Sequence, residues 1–146
     1  MNIALCVIGK LKNPALKILY EEYEKRLSWK ISLQALESKG SPHEESLFLL
    51  HSLPPSTFIV TLDEKGENLK SEEFAMFLKD VQLHHQGKVA FVMGGANGLS
   101  NEVNAKAQKS ISFGRMTWPH LFARIMLMEQ LYRAQQILKG HPYHRE

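Results

Sequence analysis

The chain closes on His141-Pro142-Tyr143-His144-Arg145-Glu146, which brings two imidazoles, a phenol, a guanidinium and a carboxylate into six residues. Imidazole exchanges protons near neutral pH. A phenol ring stacks and hydrogen-bonds, and a guanidinium pairs with phosphate or steadies an anion. Chain ends are usually polar and poorly ordered, so a frayed basic end is the plain alternative. This end follows a long apolar segment, which argues that it is held in place. A second candidate is Gly94-Gly95-Ala96-Asn97-Gly98, directly after the apolar run Val89 to Met93. Glycine lets backbone approach a ligand closely and tolerates positive φ. A helix opening at Ser100 would add free N–H groups. The run is neither G-x-G-x-x-G nor a phosphate loop ending in Gly-Lys-Ser/Thr. Taken alone, it is more often a tight turn than a ligand site.

Other chemistries find less support. His141 and His144 are three apart and His84 and His85 adjacent, but no Cys or carboxylate stands near them at ligand spacing, so no metal is expected. There is no Gly-x-Ser-x-Gly elbow. Cys6, the single cysteine, sits inside an apolar run and reads as a structural thiol. One cysteine forms no internal disulfide, which suits a reducing cytoplasm.

The elements that must position these residues alternate. Ile3 to Ile8, Phe58 to Leu62 and Val89 to Met93 are short apolar runs of the buried-strand kind. Ile31 to Ala35 alternates, as a strand with one wetter face does. Ile111 to Phe113 reads as a short strand. Helices are expected over Pro14 to Leu27, Glu44 to Leu53, from a Ser71 cap to Gly87, and after Ser100. A last helix runs from about His120 to Lys139, stopped by Gly140 and Pro142. Ser38 to Pro42, Asp63 to Asn68 and Gly114 to Pro119 read as loops. This alternation predicts a single α/β domain over 1–146, with a mostly parallel sheet and helices on both faces. Ligands of such sheets bind beyond the carboxyl ends of the strands. Met1 to Gly9 has no basic leader and reads as a strand, and no stretch is long enough to span a bilayer. The last helix is apolar well beyond one face through Leu121, Phe122, Ile125, Met126, Leu127 and Met128, which predicts a homodimer.

Charge is uneven. Residues 1–87 carry 10 Lys+Arg against 12 Asp+Glu, and residues 88–146 carry 8 against 3. The basic part holds both the glycine loop and the tail, as a polyanionic partner such as RNA would require.

The glycine loop, the WPH turn (Trp118-Pro119-His120), the EQLYRA helix (Glu129 to Ala134) and the HPYHRE terminus, taken in order, resemble one family. It is the SPOUT-class methyltransferases that modify N3 of a pseudouridine in bacterial large-subunit ribosomal RNA. The likeness covers the whole chain, from IALCVIGK through VTLDEKGENLKSEEFA and FVMGGANGLS to the end. It implies a C-terminal trefoil knot, an exception to the usual absence of knots. It also implies S-adenosylmethionine as cofactor, an obligate homodimer and a preference for assembled ribosomes. By position, the cofactor would meet Leu62, Gly94, Phe113, Gly114, Arg115, Met116, Thr117 and Trp118. Tyr143 would stack on or bond the base, His141 or His144 would take its proton or hold phosphate, and Arg145 would steady the anion. Arg124, Arg133 and Glu146 are candidate RNA contacts. Ala96-Asn97 stands where the family often has Pro-Glu, and Arg115 and Trp118 replace smaller or aliphatic residues. Those departures bear on the loop's polar contacts. Two other readings compete: a non-catalytic ribosome-binding factor with the same fold, and a Rossmann-type nucleotide enzyme, which lacks its fingerprint.

Overall fold

A computed structural model describes residues 1–37 and 40–145. Part of the Ser38 to Pro42 connector therefore lies outside the described residues, as does Glu146. In chain order the elements are β1 (Asn2–Ile8), α1 (Pro14–Arg26), β2 (Lys30–Leu36), α2 (Pro42–Ser52) and β3 (Phe58–Asn68). They continue with α3 (Ser71–His84), β4 (Lys88–Met93), α4 (Asn101–Lys106), β5 (Lys109–Ser112) and α5 (His120–Leu138). The strands form one sheet, β2-β1-β4-β3-β5, with every pair parallel.

Why the apolar runs become central strands follows from the pleat. Successive side chains of a strand point to opposite faces. Ile3, Leu5 and Val7 enter the larger core, with Phe91, Leu78, Leu127 and Leu131. Ala4, Cys6 and Ile8 enter the smaller one, with Leu49, Val92 and Val103. A strand buried on both faces needs apolar residues throughout its buried length, and β1 has them from Ile3 and β4 from Val89. β2, at the edge, keeps a wetter face. Each buried Leu, Ile or Phe contributes about 1.5–3 kcal/mol. α1 and α5 lie on the larger core with α3, and α2 and α4 cover the smaller one.

Helix starts mostly follow their capping residues. Asn13 Oδ1 accepts from the N–H groups of Ala15 and Leu16, with Pro14 at the first position. Ser41 caps α2 and Ser100 caps α4. Ser71 does not cap α3 as the sequence suggested. Lys70 is the cap, with its N–H donated to Glu73 Oε2 at 2.9 Å, and the Ser71 hydroxyl donates to Gln130 on α5. A tertiary partner has taken the hydroxyl from its local role.

Asp63 to Asn68 is not a loop but the continuation of β3. The register shifts between Leu62 and Glu67, so both residues pair with Ile111 of β5. The intervening residues bulge out toward solvent. Gly66 makes this possible: a Cβ there would fall 2.6 Å from the Ile111 carbonyl carbon. Gly66→Ala is expected to push β3 and β5 apart and cost about 2 kcal/mol. Thermal unfolding should then show a midpoint roughly 4–8 °C lower; an unchanged midpoint would mean the bulge does not depend on that close approach.

Candidate active site

β1, β3 and β4 all point their carboxyl ends the same way, and the bulge of β3 meets the loops that leave β4 and β5 there. β4 ends at Met93, and the chain then folds on itself: Gly98 N–H donates to Gly95 O at 3.0 Å. Gly94 has no room for a side chain, because a Cβ would lie 2.4 Å from Gly98 O. Ala96 and Asn97 form the exposed tip. Asn97 Nδ2 reaches Glu45 Oε2 on α2 at 3.5 Å, and the Ser100 and Ser46 hydroxyls bond at 2.8 Å. The glycine loop is thus tied to α2 by polar side chains.

The second wall is the segment between β5 and α5. Gly114 adopts φ +108°, and Ser112 Oγ both donates to Gly114 O (2.7 Å) and accepts from its N–H (3.2 Å). The Trp118 indole N–H donates to Phe113 O at 3.3 Å, closing the segment into a ring. Between the two walls lies a cavity of about 580 Å³. Of the residues matched to the cofactor by resemblance, Leu62, Gly94, Phe113, Gly114, Met116, Thr117 and Trp118 line it. Arg115 does not, and is exposed. The cavity is also lined by Asp63, Lys65, Asn104 and His120, to which the sequence reading gave no cofactor contact. The bulge of β3 brings the first two there. His120 had a visible signal, since it follows Pro119 at the start of α5.

The tail is held, but elsewhere. α5 ends with Gly140 at φ +72°; Gly140 N–H donates to Ile137 O, and His141 N–H to Gln136 O, each at 3.0 Å. This paired closure reverses the chain. Tyr143 returns along α5, edge-on to Tyr132 at 4.8 Å, and its hydroxyl donates to Glu129 Oε1 at 3.2 Å. The Arg133 guanidinium lies 4.9 Å from the Tyr143 ring and donates to Glu129 at 2.6 Å. Burial, then the Glu129 charge, raises the Tyr143 phenol above its ordinary range. The hydrogen bond to Glu129 does the same for Arg133.

His144 sits between Arg133 Nη1 (3.0 Å, to Nδ1) and Glu72 Oε1 on α3 (2.7 Å, to Nε2). A guanidinium can only donate. Nδ1 must therefore accept, and Nε2 carries the proton given to Glu72. In this arrangement both ring nitrogens are engaged. His141 and Arg145 are exposed. None of the described tail residues lines the cavity of its own chain.

Arg124 is a correction. An RNA contact must reach solvent, and Arg124 is 1% exposed. Its Nη2 donates to Gly9 O at 2.6 Å and to Ile8 O at 3.3 Å, at the carboxyl end of β1. Its basic side chain looked like surface charge in the sequence. It faces inward because it lies on the same face of α5 as Leu127, Met128 and Leu131. Arg133 is half-buried in the tail cluster. Among the described residues, no group of three His, Cys, Asp or Glu side chains gathers as a metal site, and no helix is long and apolar enough to cross a membrane.

Comparison with known proteins gives this geometry a family. The description "Predicted SPOUT methyltransferase" matches residues 1–144. The ribosomal RNA large subunit methyltransferase H of Rhodospirillum centenum is 43% identical, with 99% of each chain covered. That of Carboxydothermus hydrogenoformans is 41% identical, over 99% of this chain and 100% of the relative. Among solved structures, a probable methylase family protein from Haemophilus influenzae superposes with a TM-score of 0.59 at 13% identity. It covers 99% of this chain and 70% of its own. A probable methyltransferase from Bordetella pertussis gives a TM-score of 0.56 at 14% identity, over 91% and 94%. At such identities the structures speak for the fold alone, whereas the sequence relatives, matched end to end, show that this chain is a methyltransferase of the SPOUT family and belongs to its ribosomal RNA large subunit methyltransferase H branch.

Proposed function

We propose that the protein transfers a methyl group from S-adenosylmethionine to N3 of a pseudouridine in large-subunit ribosomal RNA, on the assembled ribosome in the cytoplasm. The observation that carries this reading is the cavity between Gly94–Gly98 and Phe113–Trp118, on a chain whose relatives are named for methylating that RNA. The cavity fits the cofactor. Its volume is within the usual 300–1,000 Å³ of ligand sites. At Gly98 and Gly114, both on its lining, a Cβ would meet nothing within 4 Å, so the space in front of the backbone is open. S-adenosylmethionine supplies an electrophilic methyl on a cationic sulfur. Leu62, Gly94 and the Phe113–Trp118 segment would hold it, in the part of the chain that forms the trefoil knot of SPOUT enzymes.

The remaining work falls to side chains. The acceptor nitrogen is a poor nucleophile until its proton leaves. A guanidinium beside the base oxygens stabilises the resulting anion, and each ~1.4 kcal/mol of that is worth about tenfold in rate. Arg145, Tyr143 and His144 have the chemistry for it, with His141 and Arg133 on RNA phosphate. Glu146 belongs to the same proposal from sequence. Because the tail is pinned to Glu72 and Glu129, off the cavity lining of its own chain, we assign the tail's role to the pocket of a second protomer. Exposed Met116, Trp118 and Phe122 beside the cavity are the apolar surface a partner would cover.

The deciding experiment incubates the protein with labelled S-adenosylmethionine and ribosomes from cells lacking the gene, and maps the label. One labelled pseudouridine in large-subunit RNA is expected; cofactor bound without any label would favour a ribosome-binding factor. Gly94→Ala should weaken cofactor binding roughly tenfold or more, since a methyl group 2.4 Å from Gly98 O cannot be admitted unless the loop backbone shifts; titration calorimetry reads this directly. A chain lacking residues 141–146 should be inactive, and the Gly94→Ala chain nearly so at a cofactor concentration well below its raised dissociation constant. Mixed in equal amounts with subunit exchange, they should recover about a quarter of wild-type turnover, because half the dimers then hold one intact composite site of two. No recovery would place tail and pocket on the same chain.

A further inference from the structure

His120 occupies the first position of α5, half-buried on the cavity wall. Its ring is wedged against the end of β1, where a Cβ on Gly9 would fall 2.8 Å from His120 Nε2. Gly9 takes φ +97° at that point, so the wedge and the turn of the strand end require each other. Among the described residues, neither ring nitrogen of His120 has a hydrogen-bond partner. A neutral imidazole carries one donor and one acceptor. Those of His120 are available to a ligand in the cavity.

Its charge state is controlled from behind. Arg124 lies one helical turn further along α5, buried and cationic, and the helix N-terminus adds partial positive charge. Burial foremost, and then Arg124, lower the His120 pKa, while Glu45 from α2 pulls the other way. β1 presents no charge at Gly9. Across the cavity stand Asp63, Glu64 and Lys65 of β3, and Arg115 is exposed outside it. Histidine is the one side-chain type among these that ordinarily titrates between about pH 5 and 8.

We propose that His120 is the charge-selective residue of the cofactor cavity, admitting a cationic sulfonium when its imidazole is neutral and repelling it, but not the neutral thioether product, when protonated. This rests on the reading of the cavity as an S-adenosylmethionine site. A 580 Å³ space is about 8 Å across, comparable to the screening length of physiological salt, and charges inside such a space are screened less than at the surface. A protonated His120 on that wall therefore opposes a cationic sulfur held within about one screening length of it. The sign follows from linkage. The sulfonium disfavours protonated His120, so its affinity is full above the free-protein pKa of His120 and falls as pH drops through it. After methyl transfer the sulfur is uncharged and that penalty is gone. Acid should therefore remove cofactor while retaining product.

The test measures dissociation constants of S-adenosylmethionine and S-adenosylhomocysteine on the full-length protein between about pH 5 and 8. The two ligands share their amino and carboxylate groups, so the ratio of their constants isolates the charge on sulfur. The ratio is expected to be constant above neutrality and to rise roughly three- to tenfold toward pH 5, against the cationic ligand. In His120→Gln, with folding checked by its thermal midpoint, the ratio should be flat. A flat ratio in the wild type overturns the proposal, as does an equal rise in His120→Gln. If neither ligand binds at any pH, the cofactor reading itself falls and this inference with it.

Discussion

The Arg124 guanidinium inside the fold is the constraint on which the site depends. A buried cation is costly unless polar groups surround it. Arg124 finds part of this at the carboxyl end of β1, where its Nη2 donates to the carbonyls of Ile8 and Gly9. Two of its other nitrogens, Nε and Nη1, have no partner among the described residues. The side chain is thus held at one place through Nη2, by a short bond to Gly9 O and a longer one to Ile8 O, and removing either side would leave an uncompensated buried group. That contact joins the start of α5 to the centre of the sheet, which sets His120 against Gly9 and brings the Phe113–Trp118 segment over the glycine loop.

The rest of the site is mostly backbone. Gly94, Gly98 and Gly114 are needed for different reasons: the first for a close approach to its own loop, the others for positive φ beside open space. A cavity walled by main chain keeps its shape when side chains vary. This explains why Ala96-Asn97 can stand at the loop tip without closing the site. Asn97 and Glu45 still tie that tip to α2. The sheet contributes the direction, since five parallel strands put all their carboxyl ends, and the loops that leave them, on one edge.

At the far end of α5 a different logic applies. Tyr143, Arg133, His144, Glu72 and Glu129 form a hydrogen-bonded cluster in which Arg133 and Tyr143 bond Glu129 and the His144 ring bridges Arg133 and Glu72. Such a cluster holds the tail in a defined shape at small net cost. It also occupies the groups that would serve a substrate, so a base or phosphate must offer at least equal hydrogen bonds to displace them.

Sequence alone determined the order of elements, the three central strands, Pro14 in the first turn of α1, the cap at Ser100, and the halt of α5 at Gly140. These depend on local chemistry: unbroken apolar runs, side-chain oxygens at helix starts, and a residue that tolerates positive φ. The family, too, was legible, because its glycine loop, Trp118-Pro119-His120 turn and terminal residues stand in order along the chain. Tertiary structure alone decided four matters. Asp63 to Asn68 is strand because β5 pairs with it twice, across a gap only Gly66 permits. Ser71 turns to Gln130 because α5 arrives beside it. Arg124 is interior because its face of α5 meets the sheet, which no count of charges shows. The tail rests on Glu72 and Glu129, off its own cavity, because a residue's partners depend on which distant elements fold next to it.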